Sequence, residues 1–223
     1  GEDTSQARAV GQTSQLLFRP VVQPDASVDN DSIIKAIEEM GNRWVTAGVM
    51  PADQVQKKFD ELRKNVEKQK AAQEEQAKKQ GGENQELPEI KVPDLKVTAK
   101  APAKAADSIA ANKQRTEQLK VLKDDRQSKD AAKQLAASTL MVCSSAPDPL
   151  QGSDDPALPL VACDAGTNQP YILGEVPLLV GQTDPVHGKR LTGNEIDSNR
   201  PITGGLNSQT GQMEISFAFK AGD

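Results

Sequence analysis

Few side chains in this sequence are of a type that does chemistry, and their spacing narrows what that chemistry is. Cys143 and Cys163 stand 20 positions apart. That is far from the Cys-x-x-Cys spacing of a redox pair, and neither thiol has a histidine or basic neighbour in sequence to depress its pKa. A bridge closing such a loop would stabilise by roughly 3 kcal/mol in the chain-entropy model. The pattern favours a disulfide over two free buried thiols, and with it an oxidising, extracytoplasmic location. His187, the only histidine, lies in Pro185-Val186-His187-Gly188-Lys189, a loop composition in which a solvated imidazole is the plain reading and a hydrolase base the remote one. One histidine and two cysteines cannot fill a structural zinc site without carboxylates. Asp148, Asp154 and Asp155 could gather round calcium but lack the alternating spacing of the usual loop, so turns and caps are their expected roles. Neither a phosphate-binding loop nor a dinucleotide fingerprint is present. The chain therefore reads as a non-enzyme without metal or cofactor.

Composition fits that reading. Of 223 residues, 36% are hydrophobic and 3% aromatic, near the level at which burial no longer offsets chain entropy, so much of the chain lies outside any core. The net charge of -5 is unevenly spread. Residues 91–134 carry eleven Lys or Arg against six Asp or Glu, and residues 144–223 carry four against ten. The basic stretch interleaves acids and holds no aromatic residue, which argues against nucleic acid as a partner. No apolar run reaches the length of a membrane helix, and the sequence reads as a soluble piece excised from a longer chain.

These residues need elements to hold them. Gln15–Val22 reads as a strand stopped by Pro24 and Asp25. An N-cap at Asp31 or Ser32 opens a helix on which Ile33, Ile37, Met40 and Trp44 share one face, and Gly48 ends it. Pro51 begins a second helix with Val55, Phe59, Leu62 and Val66 at the same spacing. The two can close as an antiparallel hairpin. Met40, Trp44, Val55 and Phe59 are the candidate polypeptide-binding residues, with an ordinary buried helix face as the plainer alternative. Gln69–Gln80 keeps helical composition with nothing to bury. After Gly81-Gly82, the repeat Glu89-Ile90-Lys91-Val92 and Asp94-Leu95-Lys96-Val97 among prolines reads as an extended spacer or flexible linker over about 81–106. Helical composition returns from Asp107 to Cys143, solvated early and packed late. Leu158–Ala162, Tyr171–Val180 and Gln212–Lys220 are the strand candidates, the missing partners of the first strand. The predicted class is α+β: a small antiparallel sheet from both chain ends, with a mainly helical insertion.

The order of several motifs resembles SecD, the membrane subunit that assists protein export through the general secretory channel, a member of the RND superfamily. The stretch Gly11-Gln12-Thr13, followed by Leu16-Leu17-Phe18-Arg19-Pro20-Val21, is similar to the start of the first extracytoplasmic region of actinobacterial members. The span Cys143 to Cys163, with Ser153-Asp154-Asp155-Pro156-Ala157-Leu158-Pro159-Leu160-Val161 before the second cysteine, resembles their two-cysteine loop. Tyr171-Ile172-Leu173, Leu191-Thr192-Gly193-Asn194-Glu195-Ile196 and Ile215-Ser216-Phe217 follow the family's strand, short helix and strand. The resemblance covers residues 8–22 and 130–220. Residues 67–106 have no counterpart, and Gln182–Lys189 resembles an insertion.

The resemblance implies a ferredoxin-like base from residues 1–23 and 167–223, carrying a head of 24–166. It implies a region on the extracytoplasmic side of the cell membrane that works with SecF and the SecYEG channel. There it would capture unfolded secretory polypeptides in export driven by the proton motive force. The reading from a different class is an extracytoplasmic helical scaffold or adaptor that recruits a protein partner.

Overall fold

The computed structural model describes residues 18–81 and 87–177, and the backbone of 203–206 and 213–216. Helix α1 is Asn30–Ala47, α2 Ala52–Lys79, α3 Ser108–Arg126 and α4 Ala131–Leu140; strands β1 and β2 are Leu160–Cys163 and Pro170–Leu173, and β3 and β4 are Thr203–Leu206 and Met213–Ser216. Among the described residues the protein is mainly helical with small two-stranded antiparallel sheets, an α+β arrangement. The chain divides into two compact units, one of Val21–Leu173 and one of Gly1–Pro20 with Gly174–Asp223.

In the larger unit α1 is the centre, packed against α4 most extensively and also against α3 and α2. Its cap is not Asp31 or Ser32 but Asp29, whose Oδ1 accepts the Ser32 N–H at 2.8 Å while Ser32 Oγ donates to Oδ2 at 2.8 Å. The Ser32 backbone bond, then its hydroxyl, hold the Asp29 carboxyl below the usual carboxylate range. Gly48 ends α1 at φ 73°, the left-handed conformation that closes a helix and favours glycine. Of the face foreseen for α1, Ile37, Met40 and Trp44 are at most 2% exposed and Ile33 is half-buried against the core; Val45, not foreseen, is buried with them. Val55 and Phe59 of α2 meet it. The two helices come close at Gly41, where a Cβ would stand 2.7 Å from Phe59 Cζ. Beyond Leu62 the α2 helix is half-buried or exposed, yet it continues to Lys79.

The single helix expected from Asp107 to Cys143 is two. Gln127 leaves helical geometry at φ -112°, ψ 23° to reach the loop that follows α4. Asp130 then starts α4 by accepting the Lys133 N–H at 3.0 Å. Helix-favouring composition lost to a specific cap and a buried tertiary bond. α4 packs Ala136, Ala137 and Leu140 into the core and lies against β1 and β2. These strands pair antiparallel from Leu160↔Leu173 to Cys163↔Pro170. The turn between them passes through Asn168 at φ 56°, a conformation asparagine tolerates.

Residues 87–107 form no helix or strand, but they are not held away from the body. Pro93, Leu95, Val97 and Ala99 alternate inward with exposed Asp94, Lys96, Thr98 and Lys100. Leu95 is part of the core and Val97 and Ala99 pack against it. This strap lies across α1 and α2.

Of the strand expected at Gln15–Val22, residues 15–17 lie outside the described residues. Val21 makes an isolated antiparallel bridge to Leu173, and the Val22 N–H donates to Ile172 O at 2.8 Å. In the smaller unit the Gly174 N–H donates to Pro20 O at 2.8 Å, and an Arg19 guanidinium nitrogen donates to Gly174 O at 3.0 Å. β3 and β4 pair antiparallel from Thr203↔Ser216 to Leu206↔Met213. β4 falls within the expected 212–220 strand; β3, with glycines at two of its four positions, was not expected.

Candidate functional site

Cys143 and Cys163 form a disulfide with a Cα–Cα distance of 5.6 Å. It ties the chain just past α4 to the end of β1, and the loop it closes carries Asp148, Asp154 and Asp155. Three consecutive residues at the end of α3, Asp125, Arg126 and Gln127, are 1%, 3% and 5% exposed, and the last two also hold that loop from inside.

Each of the three faces a different element. Asp125 turns to α1, accepting Trp44 Nε1–H at 2.8 Å on Oδ2 and Arg43 Nη2–H at 2.7 Å on Oδ1. Arg126 points into the loop, giving Nη1 and Nη2 to the two Asp148 oxygens at 2.7 and 2.6 Å and Nε to Val161 O at 2.8 Å. This is the bidentate fork geometry of a strong charge-assisted pair. Burial works against the Asp148 carboxylate, but the Arg126 hydrogen bonds and charge, with the Leu150 N–H, outweigh it and hold Asp148 below the usual range. Gln127 donates to Asp155 O at 3.0 Å and Pro159 O at 3.3 Å and accepts the Asp155 N–H at 2.9 Å. So Asp148 and Asp155 serve turn and ion-pair roles, and no group of three His, Cys, Asp or Glu suited to a metal occurs among the described residues.

Beside this knot an open cleft of about 1360 Å³ runs between the end of α1, the Arg115–Leu122–Arg126 side of α3 and the disulfide loop. Met50, Leu119, Leu122, Met141 and Val142 give it an apolar wall; Arg115, Gln118 and Ser144 add polar groups. Val142 is 55% exposed. The donors of Arg126 on this cleft are taken by Asp148 and Val161 O, so the cleft offers apolar contact more than proton transfer.

The four candidate binding residues come together, but inside. Met40, Trp44, Val55 and Phe59 are 0%, 2%, 0% and 1% exposed. They are the core of the helical pair, and only Trp44 also reaches the wall of the cleft. His187 and the Gln182–Lys189 segment lie outside the described residues. Sequence reasoning passed over Asp125, Arg126 and Gln127. Their signal was position: Leu119, Leu122, Asp125 and Arg126 step by three, three and one along α3, placing charges on the face that Leu122 buries.

A second arrangement involves Asn42 of α1 and Gln56 of α2. Gln56 donates to Leu95 O at 3.2 Å and accepts the Val97 N–H at 3.0 Å. Asn42 Oδ1 accepts the Thr98 and Ala99 N–H groups at 2.8 and 3.0 Å. Two side-chain amides thus supply the partners a neighbouring strand would give.

No helix among the described residues is long and apolar enough to cross a membrane. Compared with known protein families, curated proteins and solved structures, the chain finds no match.

Proposed function

We propose that this chain is an extracytoplasmic domain of a SecD-type protein translocase subunit, non-enzymatic, that captures exported polypeptide as it emerges from the secretory channel. The observation that carries the reading is the insertion. The chain leaves the smaller unit after Pro20 and re-enters it at Gly174, with Pro20 and Gly174 hydrogen-bonded in antiparallel fashion. A helical body carried between two adjacent backbone segments is the organisation that the resemblance implies for a head on a base. In this reading the smaller unit is a ferredoxin-like base, the partners are SecF and the SecYEG channel, and the parent protein sits in the cell membrane with this region outside. The disulfide supports an oxidising compartment. The apolar wall with Met50 and Met141 suits loose contact with varied segments, since methionine adapts its shape to what it meets.

A photo-reactive residue placed at Val142, exposed in the cleft, should yield adducts with a stalled secretory chain in membranes carrying the full parent protein. Placed at Phe59, in the core, it should not. Absence of adducts from Val142 and from every other exposed head position overturns the capture reading.

The adaptor reading keeps one supporting observation: α2 runs on from Val66 to Lys79 with mostly exposed side chains, a length its packing does not require. Deleting 69–79 should leave export intact under the first reading and abolish partner recruitment under the second.

A further inference from the structure

The strap is held mostly by its backbone. Four of its five bonds to Asn42 and Gln56 engage main-chain groups, which impose no side-chain identity on what lies there; the fifth, from the Thr98 hydroxyl to Asn42 Oδ1, is the longest at 3.4 Å. Asn42 Nδ2 is anchored to Glu38 O at 3.0 Å, which leaves Oδ1 turned toward the strap before any strap is bound. Gln56 is likewise oriented by its bond to Asp60 at 3.1 Å. The side-chain requirement is short: apolar residues at the Leu95 and Val97 positions, two apart, behind a proline.

The chain contains that pattern twice. Pro88-Glu89-Ile90-Lys91-Val92 matches Pro93-Asp94-Leu95-Lys96-Val97 position for position. In the groove the first copy would set Ile90 where Leu95 lies and Val92 where Val97 lies. It would also put Pro93 in the place of Thr98. Proline has no N–H, so the bond to Asn42 at that position would be lost. That difference accounts for the second copy being the one seated. The reach suffices for either. From Gln56 to Lys79 the helix spans roughly 34 Å at 1.5 Å per residue, and the twelve residues from Gln80 to Lys91 can extend to about 40 Å.

We propose that Asn42 and Gln56 form a binding site for an extended polypeptide bearing two apolar side chains two residues apart, with Pro93–Ala99 as its resident and exchangeable occupant. The site reads backbone first and sequence second, so it accepts segments from other chains in the same extended form. It rests on the groove alone and stands whether or not the chain serves export.

A fluorescein-labelled peptide of Val92–Lys100 tests it. A chain with Ile90, Val92, Leu95 and Val97 each changed to Asp, which disarms both copies, should bind the peptide at least ten-fold more tightly than the unsubstituted chain. Adding Asn42→Ala and Gln56→Ala should remove at least that gain. The same peptide with Asp at the Leu95 and Val97 positions should not bind. Because the four-fold variant can fail to fold, the unsubstituted chain is measured as well. At saturating peptide the amide resonances of Val97, Thr98 and Ala99 should move, while those of Gln127 and Asp155 stay. No peptide binding by a folded disarmed chain overturns the proposal; so does binding indifferent to Asn42 and Gln56, or strap resonances that do not move.

Discussion

Two backbone amides in the larger unit donate to a glutamine Oε1 at nearly the same distance, Asp155 to Gln127 at 2.9 Å and Val97 to Gln56 at 3.0 Å. Their settings differ. Gln127 is 5% exposed, beside a buried ion pair, and holds a loop closed by a disulfide. Gln56 is half-buried and holds an open strap with no ladder partner. Hydrogen bonds of the same kind fix structure where water is excluded and the chain has little entropy to regain. Where water competes they only bias the chain toward one position. The knot locks the fold, and the strap is poised to exchange.

Five perturbations would break or sharpen that contrast. Arg126→Ala should cost the most, about 3 kcal/mol by denaturant unfolding, because it removes the buried partner of a half-buried pair, leaving Val161 O without its donor and Asp148 with the Leu150 N–H alone. Arg126→Lys should restore only part, since the ammonium cannot reproduce the two-pronged fork. Reducing Cys143–Cys163 should cost about 2–4 kcal/mol and leave a folded chain, because the knot still grips the loop. Loss of the fold on reduction alone would move the weight from knot to disulfide.

Acid should act in the same place as the Arg126 change. Asp148 has a folded pKa below its unfolded one, so its contribution is fully present above about pH 4 and is lost as pH falls through the folded value. In Arg126→Ala that part of the acid sensitivity should disappear, which urea midpoints against pH would show. Gln56→Ala should be the mildest, about 1 kcal/mol or less, with its effect confined to exchange at the strap amides.

Helix faces and stops were legible because they are local. Apolar spacing found the core of α1 and α2, Gly48 ended α1, and the cysteine pair is bonded. What escaped depends on partners distant in sequence. Asp125 meets Arg43 and Trp44 more than eighty positions away, and nothing in its own neighbourhood says so. The division at Gln127–Asp130 was hidden because Ala, Lys and Gln on either side favour helix, and only the tertiary bonds of Gln127 and the Asp130 cap end it. The strap read as a spacer because prolines masked the alternation of Leu95, Val97 and Ala99 that buries it. Asn42 and Gln56 are amides among many amides, and their roles come from what they face. Met40, Val55 and Phe59 show the opposite risk, since a face suited to binding is equally a face suited to packing, and here it packs.

Native-state hydrogen exchange of the paired amides is the most direct test. Val97 should exchange through a local opening at least a hundred-fold more frequent than the one exposing Asp155, which should open only with the whole unit. Equal protection at the two positions would mean that strap and knot belong to one cooperative structure, and the distinction between a locked loop and an exchangeable strap would fall.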